Sequence, residues 1–531
     1  MGNTINIMNN NLKKIKVYFS ITVLLLMVTI FSGGFFLKNN TFFTTTNLAG
    51  TFNYFKYKTS FVYSDNKNLT ASVISIFQNN PQVNQGKGKV SSIPVLLYHG
   101  VVDNSDDANI LLKDFRNQMF ALKKAGWQTI NIEDFYAFME SEKELPDKSF
   151  LLTFDDGRKD SYYPVDPILK ALDYNAVIFV ITKYSLEDKS SNYYLSKNEL
   201  KRMVKSGRWE IEAHTREGHN IYKIAQDGKL GHYHSNKLWL DSENRPETEE
   251  EFINRIKTDF AIAKNDIEQG LGTEVISFAF PFGDFGQNTV NFLKVEQIIL
   301  DAAKSVYPIT FYQVWPGKGY NFNYAAKDSF LIKRIEVKSD WNTEALMTIL
   351  DAGKEKSLPY FDNFEKYRGW TKTWGQLTLG NNSMILDSNA STTGSSAFLD
   401  GSYLWDNYSY SANINLVKGR NISLLARYKD DENYTACNFS GDSVRIEQRL
   451  NNKNRVMVEI KNYVNFPKND LNLGIKVNKD KVECLVNDNI VAYTYYLSPA
   501  LSNGGIGFKI WDPQMNNSEL IVRHVSVEEI K

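Results

Sequence analysis

Short apolar segments alternate with amphipathic ones from residue 93 to about residue 340, and this alternation is the feature that most constrains the fold. The apolar segments predict strands at residues 93–98, 128–132, 149–154, 176–181, 275–280 and 330–337. Between them, patterns such as Phe115, Met119 and Leu122 place apolar side chains on one helix face. Repeated strand–helix units favour parallel strands with helices outside, so we predict an α/β barrel or an open sheet.

Two of the predicted helices carry recognisable start signals. Ser196 with Glu199 and Thr248 with Glu251 have the spacing of a capping box, in which each side chain satisfies a backbone N–H of the first turn. The first of these helices is predicted to end near Gly207. The second is longer, and we expect a glycine, Gly270, to close it.

Polar or turn residues stand at the ends of four predicted strands. They are His99, the pair Asp155-Asp156, His214 and the run Pro281-Phe282-Gly283. Chemistry in parallel α/β folds gathers at the C-terminal ends of strands, so these residues are expected at one rim. Taken alone, Asp155-Asp156-Gly157 is more typical of a solvated turn than of a catalytic site.

The histidines downstream favour a metal site over that turn. Asp156, His214 and His219 supply the three protein ligands that a catalytic zinc or similar divalent ion takes, with one position left for water. Such an ion acidifies water and polarises a carbonyl oxygen. Asp155, not needed as a ligand, is then free to act as a base. Zinc is the favoured ion, with cobalt and nickel as alternatives.

The alternative for each histidine is a structural role in a core or loop. Five of the six histidines fall between residues 99 and 234, and this clustering favours the metal site. His232 and His234 form an alternating pair that could also bind metal. Their surroundings, Gly231-His232-Tyr233-His234-Ser235-Asn236, predict a surface loop instead.

Three motifs in this order resemble the polysaccharide deacetylases of carbohydrate esterase family 4. They are Thr153-Phe154-Asp155-Asp156-Gly157, His214-Thr215 with His219, and Phe278-Ala279-Phe280-Pro281-Phe282-Gly283. The resemblance spans about residues 93 to 340. It implies a distorted (β/α) barrel and hydrolysis of the N-acetyl amide of a glycan. It also implies that Asp155 is the base, that Asp156, His214 and His219 bind the metal, and that the backbone amide of Phe282, after Pro281, helps hold the oxyanion.

The sequence departs from the family pattern at three places. The two histidines stand five residues apart instead of the commoner four, as in the biofilm poly-N-acetylglucosamine deacetylases. Ala279 stands where many members have an arginine, so the partner that orients Asp155 is missing or comes from elsewhere. The late histidine that serves as general acid is absent. In the biofilm branch an early histidine takes that role, and His99 is the corresponding candidate here.

From about residue 358 the helical patterns stop and short alternating segments predict an all-β sandwich. It resembles the concanavalin-like or laminin-G-like domains of glycan-active enzymes. Aromatic side chains could stack on sugars or simply fill its core. The candidates are Trp370, Trp374, Trp405, Tyr408 and Trp511. Cys437 and Cys484, the only cysteines, fall in predicted strands here and could pair.

The N-terminus predicts a single membrane anchor. Residues 1–16 form a basic tail, expected in the cytoplasm, and residues 17–37 are an uncharged apolar run long enough to cross the bilayer. A signal peptide cleaved near Ser32-Gly33-Gly34 is the alternative. Residues 38–92 predict an extracytoplasmic linker, which leaves a deacetylase domain at 93–357 and the sandwich at 358–531.

Charge and motifs together define the expected function. Lysine plus arginine equals aspartate plus glutamate at 61 each, which argues against a nucleic-acid partner and suits a neutral substrate. We therefore expect a membrane-anchored, metal-dependent deacetylase of an N-acetylated polysaccharide. Poly-N-acetylglucosamine is favoured as the substrate, with peptidoglycan next. The rivals are an inactive glycan-binding surface protein and a glycoside hydrolase, whose paired acids must flank the bond that they cut.

Overall fold

The structure is a computed structural model that describes residues 89–104, 106–187, 191–314, 319–462 and 470–531. The predicted basic tail and membrane anchor, and residues 38–88 of the predicted linker, lie outside these ranges. Among the residues that are described, no helix combines the length and the apolar character needed to span a bilayer.

Seven parallel strands form a closed barrel. They are β1 (Val95–Tyr98), β2 (Ser149–Phe154), β3 (Ala176–Ile181), β4 (Trp209–Thr215), β5 (Ser277–Ala279), β6 (Ile309–Val314) and β7 (Leu331–Glu336). Each strand pairs with the next in sequence, and β7 pairs with β1 to close the ring. The barrel prediction is therefore confirmed, and the open-sheet alternative is wrong.

Seven α-helices accompany these strands in the described residues. They are α1 (Leu112–Lys124), α2 (Ile132–Met139), α3 (Asp166–Leu172), α4 (Lys197–Ser206), α5 (Glu249–Leu271), α6 (Val295–Lys304) and α7 (Thr343–Gly353). Both predicted capping boxes are present. The predicted end of α5 at Gly270 is wrong, because Gly270 stays helical and Gly272, with a left-handed φ of 75°, caps the helix.

Alternating side chains of the strands form two apolar layers, as the two-residue period of a strand requires. Val95 and Leu151 belong to an inner cluster, whereas Leu96 and Leu152 join an outer cluster that includes helical residues such as Phe260. Helix α2 contributes to the inner cluster, and the Ile132 N–H at its start donates to Glu210 near the beginning of β4. Helix α2 therefore covers the end of the barrel where strands begin, which leaves the opposite rim for a site.

The C-terminal part is a sandwich of two antiparallel sheets, so the predicted all-β region is confirmed. Its strands are β8 (Tyr360–Asp362), β9 (Trp370–Trp374), β10 (Gln376–Gly380), β11 (Ser383–Asp387), β12 (Gly394–Leu399), β13 (Tyr408–Lys418), β14 (Asn421–Asp430), β15 (Asn433–Ser440), β16 (Ser443–Leu450), β17 (Lys453–Lys461), β18 (Leu471–Asn478), β19 (Lys481–Val486), β20 (Asn489–Thr494), β21 (Gly505–Trp511) and β22 (Glu519–Glu529). The strands of one sheet have the order β10-β11-β22-β13-β18-β19-β20, and β8 also pairs with β22. The strands of the other sheet have the order β9-β12-β21-β14-β15-β16-β17. Cys437 of β15 and Cys484 of β19 form a disulfide that joins the two sheets.

The aromatic residues expected as sugar-stacking candidates divide between core and surface. Trp370, Trp405 and Tyr408 are buried in the sandwich core, so their stacking role is excluded. Trp511 is 43% exposed, and Trp374 is half-buried. Most of these rings therefore stabilise the sandwich by burial.

Aromatic and polar contacts join the barrel to the sandwich. Tyr320, which follows β6, packs in one buried cluster with Phe398 and Tyr428 of the sandwich. Nearby, the Asn321 side-chain amide donates to the buried carboxylate of Asp400 at 2.6 Å. The junction therefore has the composition of a protein interior.

Candidate active site

The chain makes a sharp turn where β2 ends, and the turn separates two neighbouring carboxylates. Asp155 still continues the strand, since its N–H donates to the Tyr98 carbonyl at 3.3 Å. Asp156 and Gly157 both have left-handed φ values, 71° and 70°. A Cβ on Gly157 would lie 3.0 Å from the Val180 side chain, so glycine fits this close approach. The turn sends the Asp155 and Asp156 side chains to different partners.

Asp155 is held by a buried arginine. Nη1 and Nη2 of Arg334, on β7, donate to its two carboxylate oxygens at 2.6 and 2.8 Å, and the arginine side chain is fully buried. Burial raises the pKa of Asp155, but the charge and the hydrogen bonds of Arg334 outweigh burial, so the net shift of this pKa is downward. Many family members orient this acid with an arginine at the position of Ala279. In this chain Arg334 is the partner of Asp155 instead.

His214, on β4, is buried with a defined tautomer. Its Nδ1 lies 2.7 Å from the Ala279 carbonyl, which can only accept, so Nδ1 carries the proton and Nε2 presents its lone pair. Burial lowers the pKa of His214 to about 4, which keeps the imidazole neutral near pH 7. A neutral imidazole with a free Nε2 is the form that binds a metal.

Asp156, His214 and His219 come together around one point. Asp156 Oδ1 lies 3.5 Å from His214 Nε2 and 3.2 Å from His219 Nε2, and the three candidate ligand atoms lie within 4.8 Å of one another. Oδ1 is buried and accepts no hydrogen bond of normal geometry from the described residues. A buried carboxylate oxygen left without a donor beside two imidazole nitrogens fits a divalent cation. The residues present therefore form a candidate metal site.

His99 and Phe282 lie at the same rim. His99 follows β1 and is half-buried, and it is near enough to Asp155 and Asp156 to interact electrostatically with both. Phe282 follows Pro281 after β5 in a left-handed conformation, φ 59°, and its ring centre is 4.5 Å from that of His219. The sequence-predicted site residues are thus brought together, while the role of each stays a prediction.

The surface-loop interpretation of His232 and His234 is wrong. His234 is 2% exposed, and its Nε2 lies 3.2 Å from the buried Asp259 carboxylate. His232 ends a short strand, Leu230–His232, and its Nδ1 lies 2.6 Å from Asp284. Neither joins the candidate metal ligands in the part of the chain that the structure describes. The small and polar neighbours misled the interpretation, because the partner acids are distant in sequence.

Arg334 is the residue that sequence reasoning overlooked. A signal was present, because Lys333 and Arg334 interrupt an apolar segment that already predicted a barrel strand. Alternation points one of two adjacent residues into the barrel, and a buried arginine requires an acid partner. Asp155, at the rim of the same barrel, was the available acid.

A closed parallel barrel that carries a two-histidine, one-carboxylate cluster beside an arginine-bound carboxylate defines a protein with a candidate metal-dependent hydrolase site. Residues 142–297 match the sequence model of the family described as polysaccharide deacetylase. This part of the chain is therefore similar to the polysaccharide deacetylase family. The matched range includes Asp155, Asp156, His214, His219 and Phe282 and excludes His99 and Arg334.

Relatives of known name share this part of the chain. The poly-β-1,6-N-acetyl-D-glucosamine N-deacetylase of Escherichia coli (strain K12) is 24% identical over 211 residues, which are 37% of this chain and 31% of that protein. The protein of the same name from Staphylococcus aureus (strain MRSA252) is 34% identical over 110 residues, 20% of this chain and 38% of that protein. The chain thus spans about a third of the length of each.

A solved structure of a de-N-acetylase from Aggregatibacter actinomycetemcomitans is also similar. It has 21% sequence identity and a TM-score of 0.42, and the match covers 49% of this chain and 99% of that one.

Proposed function

We propose that this protein is a metal-dependent N-deacetylase that hydrolyses the acetamide groups of an N-acetylated polysaccharide outside the cell. One observation carries the proposal. Adjacent carboxylates have opposite environments, with Asp155 paired to Arg334 and Asp156 facing His214 and His219. This is the division expected when one acid moves protons and the other binds a metal.

Each residue has a distinct part in the proposed reaction. A divalent ion held by Asp156, His214 and His219 would acidify water and polarise the amide carbonyl. Asp155, oriented by Arg334, takes a proton from the attacking water, and the Phe282 N–H stabilises the negative oxygen of the tetrahedral intermediate. His99 then donates a proton to the departing nitrogen. The C–N bond breaks, and water and the amide become acetate and a protonated amine.

Aromatic side chains beside the site suit a sugar substrate. Tyr193 is 48% exposed, and the guanidinium of Arg158 lies 4.9 Å from its ring centre. The Tyr193 carbonyl accepts from the Lys159 N–H, which ties this segment to the turn that carries Asp156. Exposed tyrosine rings can stack on the apolar faces of sugars. Poly-N-acetylglucosamine is the favoured polymer, since the named relatives and the five-residue histidine spacing agree, and peptidoglycan is the alternative.

The disulfide supports placement outside the cytoplasm. Disulfides persist in oxidising compartments, and Cys437 and Cys484 form one here. We accordingly retain the proposal that residues 17–37 anchor the chain with its C-terminal part outside.

Acetate release tests the proposal. Purified protein loaded with zinc is incubated with acetylated poly-N-acetylglucosamine and with peptidoglycan, and acetate and bound metal are measured. Acetate release with about one zinc per site supports the enzyme. Glycan retention with neither metal nor acetate would support the rival, a binding protein.

A further inference from the structure

Phe282 connects two histidines that have different partners. Its ring centre is 4.5 Å from that of His219, a proposed metal ligand, and also 4.5 Å from that of His232. The rings of His232 and Phe282 are nearly parallel, with an interplanar angle of 15°. His232 therefore stacks on the residue whose backbone is proposed to hold the oxyanion.

The conformation of Phe282 needs such support. Its φ of 59° lies in the left-handed region, which residues with a bulky side chain rarely occupy. The ring is 39% exposed, so core packing does not enclose it. Strained backbone of this kind persists where neighbouring contacts hold it. The flat face of His232 is one such contact.

His232 is itself fixed by a buried carboxylate. Its Nδ1 donates to Asp284 Oδ2 at 2.6 Å, and Asp284 is 1% exposed. The same oxygen accepts from Ser235 Oγ, while Oδ1 accepts from the Gly286 N–H at 3.0 Å and the Asn288 N–H at 3.3 Å. With both of its oxygens engaged, Asp284 sets the orientation of the imidazole.

The loop that carries His232 is bound to the loop that carries Asp284 by a second route. The Asn236 side-chain amide donates to the His232 carbonyl at 3.1 Å, and its Oδ1 accepts from the Val290 N–H at 2.9 Å. The two loops therefore form one connected support next to Phe282.

We propose that His232 is a positioning residue: its imidazole, held by Asp284, keeps Phe282 in its left-handed conformation against His219. This role rests on the proposed function, because it assigns importance to the Phe282 amide and to His219. It requires a flat ring at position 232 and does not require a ring nitrogen to exchange protons with substrate.

Two substitutions at one position separate these requirements. His232→Ala removes the ring, and His232→Phe keeps a flat ring while removing both nitrogens. We expect His232→Ala to lower kcat by about 10-fold with little change in KM, because the misplaced groups act on the transition state. Zinc affinity should fall by about 3-fold or more, as it does when support behind a ligand is lost. His232→Phe keeps the stacked ring but loses the hydrogen bond to Asp284, so it should recover part of both losses.

Further variants control for misfolding and for the non-specific loss of an imidazole. Asp284→Asn leaves the ring in place and loosens it, and an intermediate loss of kcat and zinc affinity is expected. His524→Ala removes an imidazole that also contacts a phenylalanine, Phe361, at 5.9 Å in the sandwich, and should change neither quantity. Thermal melting of each variant identifies any that fail to fold, and Asp284→Asn then carries the test.

Two outcomes overturn the proposal. Unchanged kcat and zinc affinity in His232→Ala show that the stack is unimportant. Equal losses in His232→Phe and His232→Ala show that stacking on Phe282 contributes nothing. If the unaltered protein releases no acetate, the proposed function fails, but the order of zinc affinities among the variants still decides the role of His232.

Discussion

Arg334 binds both carboxylate oxygens of Asp155, at 2.6 and 2.8 Å, from the opposite end of the domain's sequence. The two residues are 179 positions apart in the sequence. Arg334 lies on β7 and Asp155 follows β2, and these strands are close because both flank β1 in the closed barrel. Asp156, one residue further on, forms no ion pair with an arginine of the described residues and faces two imidazoles instead. Barrel closure thus gives two adjacent aspartates different partners.

Replacing Arg334 should impair proton transfer and change its pH dependence. Arg334→Lys keeps a positive charge but loses the two parallel hydrogen bonds, and we expect acetate release to fall by about 100-fold. The charge of Arg334 lowers the pKa of Asp155 against the effect of burial, so weaker pairing raises that pKa. The acid limb of kcat/KM, measured from about pH 3 to 9, should therefore move to higher pH. An unmoved limb would contradict the assignment of Asp155 as the base.

Substituting the two aspartates one at a time should affect zinc binding and acetate release differently. Asp155→Asn is expected to abolish acetate release while zinc binding persists, because this carboxylate is not a proposed ligand. Asp156→Asn should lose both, since it removes a charged ligand. Zinc content by atomic absorption and acetate release by coupled assay distinguish the variants. Equal zinc loss in both would mean that the roles are wrongly divided.

His99 should matter only when the leaving group needs a proton. For His99→Ala we expect acetate release from the glycan amide to fall by about 100-fold or more. An activated aryl acetate, whose phenolate departs without protonation, should react at nearly the original rate. Comparing the two substrates in one preparation controls for folding and metal content. Parallel losses on both would assign His99 a structural role.

Glu210 provides a test of stability against pH. Burial raises the pKa of Glu210 to about 7, and the nearby Glu133 and Asp134 charges also raise it. The hydrogen bond from the Ile132 N–H lowers the pKa but does not cancel these effects. The folded state holds this proton more tightly than the unfolded chain, whose ordinary value is 4.5. Its stabilising contribution is therefore complete below pH 4.5 and is lost as the pH rises through 7.

A neutral replacement should remove that dependence. Glu210→Gln can still accept from the Ile132 N–H and carries no charge at any pH. At pH 8 we expect it to be more stable than the original protein by about 2 kcal/mol, with partial exposure taken into account. Melting temperatures of the two proteins should converge at pH 4.5, and a constant difference across the range would contradict the assigned pKa.

The sequence alone predicted the elements whose signals are local. The apolar segments, the capping boxes at Ser196 and Thr248 and the strand-end residues all depend on near neighbours, and the barrel and the gathering of His99, Asp155 and Asp156 at one rim followed from them. Arg334, Asp259 and Asp284 were missed because their partners are set by tertiary structure. The pairing of Cys437 with Cys484 stayed open for the same reason.

The junction between barrel and sandwich has a practical consequence. The Tyr320 hydroxyl donates to the Tyr428 carbonyl at 2.9 Å and accepts from the Gly505 N–H at 3.1 Å. A fragment that ends near residue 357 would leave that hydroxyl and the Asn321 amide without these hydrogen-bond partners. It would also expose an aromatic patch to water. The sandwich thus covers one side of the barrel, and a shortened protein would need polar substitutions on that side before it could be handled in solution.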